Sequence, residues 1–434
     1  MRGIVLMLAA FGAMIAPGAA ATLCGDKDLP LIVDRQVRQP PRLAEPAARR
    51  PFRDPAFGTC LVRLTDRTAD LAPGDSSGGL KNEYARVQAF NADASLILIR
   101  GTAASWYLYD ARTLAPLRRL PFEGTVDPRW DARDPATLYV IDGTRLVAHD
   151  VRGEHLRVVR DFAAEFPGQR LAAVWTRYEG SPSRDGRTWG LMAEDENWIP
   201  AAFLVYDLAA DRIVAKRDLR GVPGIADDID NVTISPLGNF LVAAFGKYCE
   251  RGETGSDARP CGFMVYDRNL THGRGLARIM GHYDLALDAT GREVAVYQDV
   301  DTDEIAMLDL ASGKRTALLP LDFSRHAFGL HFSGQGPPGW ALVSTHDASA
   351  DSILWMDDQV FAVELEPGGR VVRLAHTHSR VDFEAEHFYF AEPHATVSRD
   401  FTRVLFTTNW GRVGTDRVET TLIDLPRDWW TRLP

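Results

Sequence analysis

From about Gly58 the chain alternates apolar and polar positions in short runs broken by Gly, Asp, Ser and Pro, which predicts strands joined by tight turns. One two-strand phrase recurs seven times: VQAFNADASLILIRG, PRWDARDPATLYVIDG, RYEGSPSRDGRTWGLMAED, VTISPLGNFLVAAFG, LALDATGREVAVYQD, LHFSGQGPPGWALVSTH and ATVSRDFTRVLFTTNW. Six copies are followed by a second phrase in which an apolar strand ends near an acidic residue and turns into another strand, as in FLVYDLAADRIVAKRDL and IAMLDLASGKRTALLPL. The seventh copy has only a third strand, TTLIDLP. Four-stranded units repeated in this way predict an all-β, seven-bladed β-propeller.

The fourth strand of the last blade can come from GTCLVRLTDR, residues 58–67, which precedes the first blade. That pairing joins the two ends of the chain and leaves no open ring. An irregular β-sandwich is the competing fold, but it does not call for seven copies of one phrase. The Trp-Asp ending of WD40 repeats is absent. Strands of a blade run alternately up and down, so first-to-second and third-to-fourth turns share one face. The long connections fall on the other: residues 194–201, the run 250–260, HDASADSILWMDD and THSRVDFEAEHFYFAE. Loops gathered on one face of a rigid scaffold point to a working surface there.

Ahead of the repeats, residues 1–21 read as a signal peptide: Arg2, an apolar stretch from Gly3 to Ile15, and Ala19 to Ala21 for cleavage. Thirteen apolar residues are too few for a bilayer span, and no later run qualifies. The expected location is therefore periplasmic or secreted, with no membrane span in the mature chain. Lipidation of Cys24 is the alternative, although the preceding residues are not the small ones it needs. Residues 22–57, rich in Pro and Arg, have little to bury and should drape over the propeller of residues 58–434. Four cysteines in an exported chain suggest disulfides, Cys249 with Cys261 across a hairpin tip and Cys24 with Cys60, rather than a zinc site of unusual spacing. The net charge of −10 argues against nucleic acid as a partner. It leaves open an acidic glycan, since one ion or arginine can dominate a small site, or an envelope protein. A monomer is the expected state.

The innermost strands start on the long-loop face, beside the axis. Their first residues read Tyr84 and Arg86, Arg129 and Trp130, Arg177 and Tyr178, Asp230 and Asn231, His282 and Asp284, His331, and Glu392 and His394. His331, His394 and Glu392 have the donor types of a divalent transition-metal site, such as zinc. His282 could act as a general base, or it could lock its blade through the backbone as a structural Gly-His pair does. Arg86 and Arg129 could grip a carboxylate in a fork or tie adjacent blades together. His376, His378 and His387 lie in or beside the connection to the last blade, and Trp130, Trp198 and Trp355 could stack on sugars, Trp130 being equally a core residue. No nucleophile elbow, phosphate loop, dinucleotide fingerprint, His-Glu-x-x-His or Cys-x-x-Cys motif is present.

The phrases ISPLGNFLVAAF, LDATGREVAVY and EPHATVSRDFTRVLFTTNW resemble the repeats of TolB-type propellers. The histidines of the last three blades, His282, His331 and His394, resemble those of the seven-bladed oligogalacturonate-lyase group of polysaccharide lyases. The resemblance implies β-elimination from a uronate, with His282 as base, His331 and His394 as ligands of a manganese-like ion, and Arg86 or Arg129 as assisting cation. The chain departs from that group at its last blade, where Tyr389, Glu392 and His394 replace a denser run of histidine and glutamine ligands. It also departs in its apparent export.

Overall fold

A computed structural model describes residues 22–433, apart from 224, 226–228, 326 and 350; the expected signal peptide lies outside the described residues. Seven antiparallel sheets are arranged as blades, each built in sequence order from its innermost strand outward. The innermost strands are Leu80–Lys81, Val126–Trp130, Leu171–Trp175, Ile229–Ile234, Tyr283–Leu287, Gly329–Ser333 and Thr396–Val397, for blades one to seven. The middle strands are buried on both faces, as in Pro200–Asp207, because each blade is sandwiched between two others. Outermost strands such as His155–Asp161 are largely exposed. This explains why the alternation is blurred into apolar runs in mid-blade and survives at the rim.

Seven clusters of buried apolar side chains fill the seven junctions between neighbouring blades. Between blades five and six, for example, Val296 and Met307 meet Phe332 and Phe361. Each such side chain withdrawn from water contributes about 1.5–3 kcal/mol, so the ring is held by its junctions rather than by a central core. Around the axis, polar and charged side chains are left to line a channel.

The ring closes as expected. Cys60–Arg63 pairs with Glu419–Asp424 in the last blade, Leu61 opposite Ile423. A further strand, Pro51–Arg53, adds outside it with Phe52 opposite Leu61, so part of the Pro/Arg-rich segment is built into the sheet rather than laid over it. The rest of that segment is tied down by disulfide Cys24–Cys60. It is held further by Arg373, which sends its backbone N–H to the Ile32 carbonyl and its guanidinium to that of Gln36. Cys249–Cys261 closes the long loop of blade four, a link of the kind that contributes roughly 3 kcal/mol in the chain-entropy picture.

Blade three departs from the sequence expectation. Its innermost strand is Leu171–Trp175, not a strand beginning at Arg177. Beyond it the chain bends, with Arg177 and Tyr178 in the left-handed region. The cause lies in blade two: the Asp127 carboxylate accepts from Thr176 N and Tyr178 N, and Arg129 donates to the carbonyls of Tyr178 and Gly180. At Gly180 a Cβ would collide with the Val232 carbonyl, so only glycine lets the bend lie against blade four. The bend carries Glu179 to the axis.

Candidate metal centre

His331 lies in the innermost strand of blade six, opposite Ser344 of the strand Trp340–His346, whose last residue, His346, pairs with Gly329. Cross-strand register places His331 and His346 diagonally on one face of the blade, and their rings stack with centroids 5.4 Å apart. A Cβ at residue 329 would collide with the His346 imidazole. Glycine is thus what lets that ring lie over the strand.

Glu392 and His394 arrive from the connection between blades six and seven. A single helical turn, Phe388–Ala391, ends at Glu392. His394 has a φ of 43°, an uncommon conformation for a non-glycine residue. It is held there by Asn82, whose Nδ2 donates to the His394 carbonyl at 2.7 Å. The outcome is a close group: Glu392 Oε2 lies 2.9 Å from His331 Nε2 and 3.2 Å from His394 Nε2, and Glu392 Oε1 lies 3.9 Å from His346 Nε2. Potential ligand atoms of His331, His346 and Glu392 all fall within 4.8 Å of one another.

The second layer comes from blades five and one. His282 immediately precedes the innermost strand of blade five, and its ring lies 4.5 Å from that of His331. Its Nδ1 is 3.1 Å from the Tyr84 hydroxyl. Tyr84 in turn packs against His331 and His394, with centroids 5.3 and 5.0 Å away. Lys81, also fully buried, sets its Nζ 5.0 Å from the ring centre of Tyr389. Above these groups opens a cavity of about 510 Å³ whose lining includes Tyr84, Arg86, Glu179, His282, His331 and Glu392.

Burial dominates the electrostatics. It pushes His282 down to about 4, lowers His346, and drives His331 and His394 well below the ordinary imidazole range. Burial thus favours the neutral form of each ring, the form that binds metals and accepts protons. Burial also pushes the Glu392 carboxyl up, but the closeness of His394 and the other imidazoles outweighs this and leaves it below its usual value. Lys81 is pushed down to about 8 by burial, against the pull of Glu83. Glu179 is pushed up to about 7 by burial, which outweighs the attraction of Arg86.

The donor set suits a transition-metal ion. Two imidazoles and a carboxylate are borderline ligands of the right count for a site with open positions. In addition, Nδ1 of His331, Nδ1 of His346 and both ring nitrogens of His394 are buried without hydrogen-bond partners. Orphaned buried nitrogens are costly, and coordination relieves part of that cost.

Of the residues singled out from the sequence, His282, His331, His394, Glu392 and Arg86 converge here. Arg129 does not: its guanidinium is buried and bonded to the carbonyls of Pro128, Tyr178 and Gly180 and to Thr176, holding the bend of blade three. Trp130 is buried with its Nε1 on the Ala89 carbonyl. His376 is likewise buried, its Nε2 3.1 Å from the Arg38 carbonyl. His346, Lys81 and Glu179 escaped sequence reasoning. For His346 the available signal was the glycine two residues before His331, which makes room for a ring across the strand.

The molecule is thus a seven-bladed β-propeller with a histidine–carboxylate centre at the mouth of its channel. The sequence matches no family model and no curated protein. Among solved structures, the chain is similar to an oligogalacturonate lyase in complex with manganese, with a TM-score of 0.58, 15% identity, and coverage of 91% of this chain and 99% of that one. It is similar as well to the oligogalacturonate lyase of Vibrio parahaemolyticus, with a TM-score of 0.58, 11% identity, and coverage of 88% and 97%. At these identities the likeness is one of fold.

Proposed function

We propose that the protein is a metal-assisted lyase that cleaves a uronate-containing oligosaccharide by β-elimination. The observation that carries this is the grouping of His331, His346 and Glu392, with ligand atoms within 4.8 Å of one another, beside the His282–Tyr84 pair, with His331, Glu392, His282 and Tyr84 lining one cavity. His394 adjoins the same carboxylate. A divalent ion of the manganese or zinc type, held by His331, His346 and Glu392, would supply the positive charge that masks a substrate carboxylate and acidifies the proton beside it. That the first solved neighbour is described in complex with manganese supports the choice of ion.

The remaining chemistry belongs to the chain. With Nδ1–H directed at the Tyr84 oxygen, His282 presents a free Nε2 that takes the proton from the carbon next to the carboxylate. The electron pair of that C–H bond forms the new C=C bond as the C–O bond to the leaving sugar breaks, and the departing oxygen takes a proton from solvent. Tyr84 keeps its own proton, because burial raises its hydroxyl well above the usual range, and it fixes the imidazole. Arg86 lines the cavity, but its Nη1 lies 3.1 Å from Glu179 and its charge is offset there. Two disulfides suit an oxidising compartment, in keeping with export.

The test is metal analysis of the purified protein together with the ultraviolet absorbance of unsaturated product on a panel of uronate-containing glycans. Bound metal and new absorbance, both lost in His331→Ala, are the expected results. A protein that takes up no metal and leaves every glycan intact would instead mark the long-loop face as a non-catalytic surface for a glycan or an envelope protein.

A further inference from the structure

We infer that this cavity accepts a reacting uronate flanked by an uncharged or amine-bearing sugar and rejects a run of consecutive uronates. The inference rests on the lyase reading above and adds the class of substrate. Its ground is the wall facing the metal centre. Among the described residues, four acidic or basic side chains line the cavity besides its histidines: Arg86, Glu179, Asp230 and Glu392. Glu392 belongs to the metal centre. Arg86 is paired with Glu179 at 3.1 Å, and its guanidinium carbon lies 3.8 Å from the ring centre of Tyr283. Among the described residues the lining holds no cation without a carboxylate partner.

Outside the metal centre, the one charge of the described lining left unpaired is negative, that of Asp230. Asn231, fully buried, donates from Nδ2 to Asp230 Oδ2 at 2.9 Å and to Glu179 Oε2 at 3.3 Å. The Tyr283 hydroxyl fixes that amide by donating to Asn231 Oδ1 at 2.6 Å. One buried amide thereby holds two carboxylates side by side at the cavity wall. Asp230 is exposed and forms no ion pair among the described residues. A like charge brought against it is disfavoured, whereas an ammonium or a hydroxyl-rich neutral sugar is accommodated. The metal centre therefore provides for one carboxylate, and the neighbouring subsite selects against another.

The experiment uses the full chain loaded with Mn²⁺ and compares calorimetric binding of two oligosaccharides of equal length. One is oligogalacturonate and the other alternates unsulfated uronate with N-acetylhexosamine. The alternating chain should bind at least about 10-fold more tightly, and Asp230→Asn should narrow the gap by about 3-fold or more by improving oligogalacturonate alone. Asp230→Ser, which removes the charge without supplying an amide, should act in the same direction. Equal or tighter binding of oligogalacturonate, binding of neither chain, or an unchanged preference in both variants overturns the inference. The two readings fail separately. Selective binding with no unsaturated product removes the lyase and keeps the selective wall, while preferential cleavage of oligogalacturonate does the reverse.

Discussion

Gly329 and His346 face each other across the two innermost strands of blade six, and the side chain that glycine lacks is the space the imidazole fills. Replacing Gly329 with alanine should turn His346 away from Glu392 while leaving the ladder intact. Mn²⁺ affinity, measured by titration of the chelated protein, is expected to fall by about 10-fold or more. His346→Ala should reproduce the loss. Wild-type affinity in both variants would show that His346 is not a ligand.

Tyr84 reaches His282 Nδ1 from another blade and touches the metal centre only through ring contacts. Tyr84→Phe should keep the metal and the fold and release the His282 ring, lowering kcat on the cleaved glycan on the order of 100-fold with little change in KM. A proportionate rise in KM with kcat unchanged would assign Tyr84 to substrate binding instead.

Arg129 is the stabilising counterpart to these residues. Its guanidinium holds the bend of blade three through the carbonyls of Tyr178 and Gly180 and through Thr176, and losing several charge-assisted bonds from a buried site should cost at least about 3 kcal/mol. Arg129→Met should therefore shift the denaturation midpoint clearly while metal stoichiometry per folded molecule stays the same. Loss of metal at full stability would contradict this assignment.

His376 links stability to pH. It is buried against Phe57 where the N-terminal segment crosses the rim, and burial pushes it from 6.5 down to about 3. In the unfolded chain it takes a proton below about 6.5 while the folded form stays neutral. The stability it permits is thus intact above pH 6.5 and is eroded as pH falls toward 3, at up to about 1.4 kcal/mol per pH unit. Urea unfolding at pH 7 and pH 5 should show a shallower decline for His376→Asn than for wild type. Parallel declines would place the acid sensitivity elsewhere.

How far these features could be read in advance depends on the range of the interactions behind them. Strands, blades, their number and the closing strand Cys60–Arg63 follow from alternation and turn residues repeated along the chain, each signal confined to a few neighbouring positions. The two cysteine pairs were legible for a similar reason, one bracketing a single loop and the other remaining by elimination. Because consecutive blades must present corresponding positions to the axis, His282, His331 and His394 could also be assigned to one mouth.

Sequence alone thus determined the seven-bladed ring and the residue types at its entrance, since periodicity and chain order dictate both. Only the tertiary structure decided which of those residues meet. Glu392 lies 61 positions from His331 and reaches it because Asn82, from a third blade, holds His394 in a left-handed turn. His346 enters through the space above a glycine. Glu179 reaches the axis on a bend that Asp127 and Arg129 impose from the neighbouring blade. Contacts of this kind depend on register, backbone handedness and packing between blades, which no local pattern of apolar and polar residues encodes.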